Sequence, residues 1–168
     1  MIGAGNLATN LAKALHSAGH DIIEVYSRTR VSADALAMQV EALPTDNIET
    51  LGRDADIYIL ALKDSVLADI IPSLCSGRND AVFVHTAGSV SIDIFKGHAV
   101  RYGVLYPMQT FSKSRIVDFS VIPVFLEASD SYTMTLLEGL AASVSNDVRQ
   151  LASPSRRYLH LAAVFACN

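Results

Sequence analysis

The run Gly3-Ala4-Gly5-Asn6-Leu7-Ala8, opening an amphipathic helix that stops at Gly19, constrains this chain more than any other feature. It has the G-x-G-x-x-A spacing of a dinucleotide fingerprint. The first glycine permits a tight turn, and the second lets the backbone approach a pyrophosphate held by helix N–H groups and the positive end of the helix dipole. Such a loop follows a buried strand, yet only Met1 and Ile2 precede Gly3. The expectation is that this strand lies outside the chain as given and belongs between the strands ending at Tyr26 and His85.

Downstream, strand and helix patterns alternate. From Asn6 to Ala18, apolar residues at Leu7, Leu11, Ala14, Leu15 and Ala18 make one helical stripe. Asp21 to Tyr26 reads as a strand, and Ser32 to Val40 as a helix with Ser32 as its N-cap. The continuous apolar run Ile57 to Leu62 is the pattern of a parallel strand buried on both faces. A helix capped by Asp64 or Ser65 runs to about Leu74, and Ala81 to His85 is the next strand. A short helical segment spans Ile92 to Phe95. Val104 to Tyr106 and Val121 to Leu126 are further strands, and Ser131 to Ala142 is a helix. This alternation predicts an α/β fold, a doubly wound and mostly parallel sheet of the Rossmann type with helices on both faces.

In such a sheet the ligand crevice lies outside the carboxyl ends of the strands. Gly3, Gly5, Asn6 and Leu7, then Ser27, Arg28 and Thr29, then Leu62 and Lys63, then Thr86, Ala87 and Gly88 each follow a predicted strand directly. All are candidate cofactor-binding residues. The second strand bears on the choice of dinucleotide. A cofactor lacking a 2′-phosphate usually meets a carboxylate about 20 residues past the glycines. Here the strand ends in Ser27-Arg28-Thr29-Arg30, and the nearest acid, Glu24, lies inside it. A hydroxyl beside a guanidinium suits a phosphate dianion, which points to NADP, although solvated loop arginines give the same letters.

Composition narrows the function classes. A 168-residue chain that is 51% hydrophobic and 18% charged has the makings of a soluble protein with one substantial core. Its net charge of −4 disfavours nucleic acid or an anionic membrane surface as partner. No apolar run approaches the ~18 residues of a membrane span, and no signal peptide is visible, so the expected location is cytoplasmic. Cys75 and Cys167 fit no metal spacing and read as buried free thiols; no metal site is expected.

The segments Ile-Gly-Ala-Gly-Asn-Leu-Ala (2 to 8), Tyr-Ser-Arg-Thr (26 to 29), Ala-Asp-Ile-Tyr-Ile-Leu-Ala-Leu-Lys-Asp (55 to 64) and His-Thr-Ala-Gly-Ser (85 to 89) resemble the NADP-binding domain of pyrroline-5-carboxylate reductases and deazaflavin-dependent NADP reductases. A bacterial group of Rossmann-like oxidoreductases is more similar still, sharing Leu-Tyr-Pro-Met-Gln-Thr-Phe (105 to 111) and Tyr-Leu-His-Leu-Ala-Ala-Val-Phe-Ala-Cys-Asn (158 to 168). The resemblance implies an NADP-binding domain over residues 1–152, lacking its first strand, and the start of an all-helical, homodimer-forming domain over 153–168. It carries no substrate with it. Relatives of this pattern place His before the proline where this chain has Tyr106.

The resemblance also implies hydride transfer between nicotinamide and a small imine or carbonyl substrate. Histidine is best matched to the accompanying proton transfer near neutral pH. His85 ends a strand at the crevice, and His160 and Asn168 lie on the last helix, eight residues and roughly 80° apart, as one wall. These three are the catalytic candidates. The alternatives are a core role for His85, an interface role for His160, and a nucleotide-binding regulatory or scaffold protein without chemistry.

Overall fold

The computed structural model describes residues 1–115 and 117–167, and for Cys167 the backbone alone. The glycine loop leads into α1 (Asn6–Ser17), which is followed by β1 (Glu24–Tyr26), α2 (Arg30–Ala37), β2 (Leu43–Thr45), β3 (Ile57–Leu60), α3 (Asp64–Cys75) and β4 (Val82–His85). Then come β5 (Arg101–Pro107), β6 (Val124–Ala128), α4 (Ser131–Ala142), β7 (Val148–Gln150) and α5 (Ser153–Cys167). The segment Ile92–Phe95 is a 3-10 turn. Strands β3, β4, β5, β6 and β7 lie side by side in that order, and β1 pairs with β2. Every pairing is parallel except β5 with β6.

Ile2 joins the two parts of the sheet. It forms parallel bridges to Tyr26 on one side and Leu60 on the other. Its N–H donates to the Ile59 carbonyl at 2.8 Å, and the Gly3 N–H donates to the Tyr26 carbonyl at 2.8 Å. The central place expected for a strand is therefore held by Met1 to Gly3. Its neighbour on the second side is the strand ending at Leu60, not the one ending at His85. The reason is the crossover: the chain passes from β2 over the sheet and re-enters next to the centre, which pushes β4 one place outward. Beside Met1, at the amino ends of the strands, a cavity of about 410 Å³ opens between Ile22–Glu24 and Ala55–Ile59. None of the predicted site residues lines it.

Alternation along the strands explains the two-faced core. Leu60 and Phe83 pack with Leu67, Ile71 and Leu74 of α3 on one face. Ile59, Val82 and Val84 pack with Leu11 and Leu15 of α1 and Leu137 of α4 on the other. Side chains one residue apart on a strand point to opposite faces, so each inner strand must be apolar throughout. A third cluster, Ala8, Ala12, Val25, Leu36 and Val40, fixes α2 beside α1; the small alanines bring the helices close.

Several boundaries differ from the sequence reading. Residue 29, not Ser32, is the N-cap of α2, and Lys63, not Asp64 or Ser65, is that of α3. The strand β2 was not expected because it contains Pro44, and β7 because it is a short, exposed strand at the sheet edge. The helix α5 begins at Ser153. Cys75 is a buried free thiol, as read; the side chain of Cys167 lies outside the described residues. Among the described residues no helix is long and apolar enough to cross a membrane, and no group of His, Cys, Asp and Glu could hold a metal ion.

Candidate functional site

At the carboxyl ends of Ile2, β1 and β3 a cavity of about 340 Å³ is lined by Gly3, Ala4, Gly5, Ser27, Arg28, Thr29, Ser32, Ala61, Leu62, Lys63, Val66 and Ile70. Seven of the twelve predicted cofactor residues therefore meet in one place. Gly3 has φ +117°, and a Cβ there would run into the Ala61 carbonyl oxygen, so the turn and its close approach to β3 both require glycine. Gly5 is different: a Cβ there would meet nothing within 4 Å. That open space adjoins the start of α1, whose N-cap supplies no side-chain hydrogen bond. The first-turn N–H groups are thus left for an anionic group. Asn6 and Leu7 form that first turn.

The charges at the cavity fit a phosphate. Arg30 is engaged with Asp34 at 2.8 Å, whereas Arg28 is exposed and has no ion-pair partner among the described residues. Thr29 donates its hydroxyl to Ser32 at 2.9 Å, grouping two further hydroxyls beside Ser27. Glu24 does not reach this end of the strand. Its carboxylate accepts from the Gly52 N–H at 2.6 Å, at the opposite end of the sheet. The end of β1 thus presents a guanidinium where an NAD site would present a carboxylate. Val66 and Ile70, which the sequence reading missed, are four apart on α3 and give the cavity an apolar wall; their i, i+4 spacing was the available signal.

Thr86, Ala87 and Gly88 do not line this cavity. They are buried one strand further on, with the Thr86 N–H donating to the Leu60 carbonyl at 3.2 Å. Ser89 donates to the Asp64 carboxylate and so ties the loop after β4 to the start of α3. His85 is completely buried and stacks on Phe95 at 5.8 Å. Its Nδ1 accepts from the Ala87 N–H at 3.2 Å, which puts the ring proton on Nε2, where no hydrogen-bond partner is met among the described residues. Burial, with the nearby Arg156 charge adding to it, pushes its pKa down to about 4; the Ser91 backbone, Asp64 and Glu127 pull weakly the other way. His85 is held neutral behind the loop rather than on the crevice surface.

His160 does reach the loop. Its ring lies over Gly88, where a Cβ would come within 2.5 Å of the imidazole, and its Nδ1 is 2.9 Å from the Tyr106 hydroxyl at the end of β5. Asn168, the third catalytic candidate, lies outside the described residues. What places His160 is Arg156, one turn earlier and fully buried. Its guanidinium donates to the Glu127 carboxylate at 2.5 Å and to the Val90 carbonyl at 2.6 Å, while Ser153 donates to the same carboxylate at 2.6 Å. An arginine in the first turns of an exposed-looking helix gave no sequence signal of burial; only the pairing with Glu127 across the sheet creates it.

Residues 1–88 match the family model described as NADP oxidoreductase, coenzyme F420-dependent, and residues 122–168 match a domain of unknown function. No curated protein matches the chain. Among solved structures, a protein of Bacteroides fragilis assigned as an NADP oxidoreductase is 50% identical, with a TM-score of 0.96 over 99% of this chain and 65% of its own. A pyrroline-5-carboxylate reductase from Coxiella burnetii is 22% identical, with a TM-score of 0.73 over 90% of this chain and 57% of its own. An imine reductase from Myxococcus stipitatus, solved with NADP+, is 15% identical, with a TM-score of 0.79 over 99% of this chain and 59% of its own. At such identities the last two show a shared Rossmann-like fold alone. The chain spans 57% to 65% of the length of these three structures. With the glycine loop, the Arg28 cavity and the doubly wound sheet all in place, the match over more than half its length shows that the chain belongs to the NADP oxidoreductase, coenzyme F420-dependent family.

Proposed function

We propose that the protein is an NADP-dependent oxidoreductase that moves a hydride between the nicotinamide and the carbon of a small imine or carbonyl compound. The observation that carries this reading is the single cavity that gathers the glycine loop with Ser27, Arg28 and Thr29. Gly5 and the first turn of α1 would receive the pyrophosphate, and Arg28 with the neighbouring hydroxyls the 2′-phosphate. Bound NADPH supplies the hydride. His160, partly exposed beside the loop after β4, supplies the proton from its imidazolium form: the π electrons of the reduced bond pass to its heteroatom, which takes the Nε2 proton and leaves the ring neutral, and solvent returns the proton.

The apolar residues Tyr158, Leu161 and Phe165 of α5 are exposed, which supports a homodimer through a helical C-terminal domain. The free thiol of Cys75 fits a reducing cytoplasm. The test is NADPH oxidation, followed by absorbance, with cyclic imines, 2-ketoacids and an oxidised deazaflavin. Turnover with one of them, strongly reduced in His160→Ala while NADPH affinity stays within a few-fold, is expected. Tight NADPH binding with no oxidation across the panel would count against it.

A further inference from the structure

We infer that Tyr106 is a positioning residue for His160: its hydroxyl donates to Nδ1 and so keeps the Nε2–H of the imidazole facing the crevice. Tyr106 is the next-to-last residue of β5, the strand beyond β4, so its side chain sits next to the loop that carries Gly88. Its ring is buried, stacked on Phe125 at 6.4 Å and set edge-on to His160 at 5.7 Å with an interplanar angle of 79°. The hydroxyl is 2.9 Å from His160 Nδ1, its only hydrogen-bond partner among the described residues.

That solitary partner decides the direction of the bond. If Nδ1 were the donor, the phenolic hydrogen of this part-buried hydroxyl would face no protein acceptor among the described residues, at the usual cost of a poorly satisfied polar group. With the hydroxyl donating, Nδ1 is satisfied and the ring proton of neutral His160 must sit on Nε2. The ring atoms nearest Gly88 are Cγ and Nδ1, which leaves Nε2 on the outer edge of a partly exposed residue. Burial raises the Tyr106 pKa, the nearby Arg156 charge opposing, so the phenol stays protonated and available as donor.

A hydroxyl also serves where a carboxylate or an ammonium could not. A phenol both donates and accepts. When His160 is cationic, its Nδ1–H donates to the Tyr106 oxygen instead, and Nε2 still carries the proton that faces outward. The same orientation is thereby kept in both charge states of the ring. The charge that acts on Tyr106 is Arg156 of α5, itself paired with Glu127 from β6, and Arg157 of the same helix reaches the Ser89 carbonyl next to Gly88. Arg156 is committed to Glu127 and Val90, and Arg157 to the Ser89 carbonyl, so neither competes for the imidazole. The consequence for proton delivery rests on the oxidoreductase reading; the tautomer does not.

The test uses the full chain labelled with 15N-histidine, in wild-type and Tyr106→Phe forms, the latter keeping the ring packing and losing only the hydroxyl. Long-range 1H–15N spectra at mildly alkaline pH should show neutral His160 as the Nε2–H form in the wild type. In Tyr106→Phe the Nδ1–H share should rise about fivefold, the size expected from losing one neutral hydrogen bond. The affinity for NADPH should stay within about twofold. A wild-type His160 protonated at Nδ1, an unchanged tautomer ratio in Tyr106→Phe, or a large loss of NADPH affinity in that variant would each overturn the assignment. Failure of the wild type to bind NADPH would instead contradict the cofactor reading and leave the tautomer result standing.

Discussion

Gly88 and His160 occupy adjoining space so closely that a single methyl group cannot be added between them: a Cβ on Gly88 would lie 2.5 Å from His160 Cγ and Nδ1 and 2.9 Å from its Cβ. All three atoms belong to the ring or its root, not to a flexible tip. Gly88→Ala must therefore push α5 off the loop after β4 or rotate His160 away from Tyr106. We predict a loss of about 1 to 3 kcal/mol in urea unfolding, the range for overpacking a tight contact. An unchanged midpoint would mean that α5 is not seated on the loop as described.

Glu127 balances a charge that has no other carboxylate partner among the described residues. The Arg156 side chain is 1% exposed and Glu127 17%, and their contact is 2.5 Å. Removing the acid strands a buried guanidinium, which costs more than the pair itself contributes. Glu127→Ala is predicted to destabilise by about 3 kcal/mol or more. The check is thermal unfolding against Asp147→Ala, whose exposed pair with Arg149 should change stability little.

His85 makes stability depend on pH. Its pKa is about 4 in the folded protein against 6.5 for an ordinary histidine. Above 6.5 both states hold a neutral ring and nothing is lost. Between 6.5 and 4 the unfolded chain binds a proton that the folded chain refuses, so stability falls as pH falls and levels off below about 4. The gap corresponds to about 3 kcal/mol. Urea unfolding of His85→Phe between pH 7 and 4.5 should lose most of that slope relative to the wild type; an identical slope would exclude His85 as its source.

Much of this arrangement could be read from the letters. The glycine loop, the double-faced strand Ile57–Leu60 and the hydroxyl-arginine pair after β1 are local patterns with a direct physical meaning; they predicted the sheet, and seven of the residues they singled out line one cavity at the carboxyl ends of its strands. What could not be read depends on pairing across the sheet. Neither Glu127 nor Arg156 shows in its own segment that the other will neutralise it, and Tyr106 stood out only as a departure from an expected histidine. His85 carried the opposite error: strand-end position suggested the crevice, but the Phe95 stack and the closing loop bury it. The place of Ile2 between Tyr26 and Leu60 likewise follows from the crossover after β2, whose short strand holds a proline and leaves little trace.

Arg28 is the residue that separates an NADP site from an NAD site. Calorimetric titration of the wild type and Arg28→Ala with NADPH and with NADH tests it most directly. The wild type should prefer NADPH, and Arg28→Ala should weaken NADPH by about tenfold to a hundredfold while leaving NADH nearly unchanged, because only NADPH offers a 2′-phosphate to the guanidinium. Equal losses for the two cofactors, or no preference in the wild type, would contradict an NADP site at this cavity.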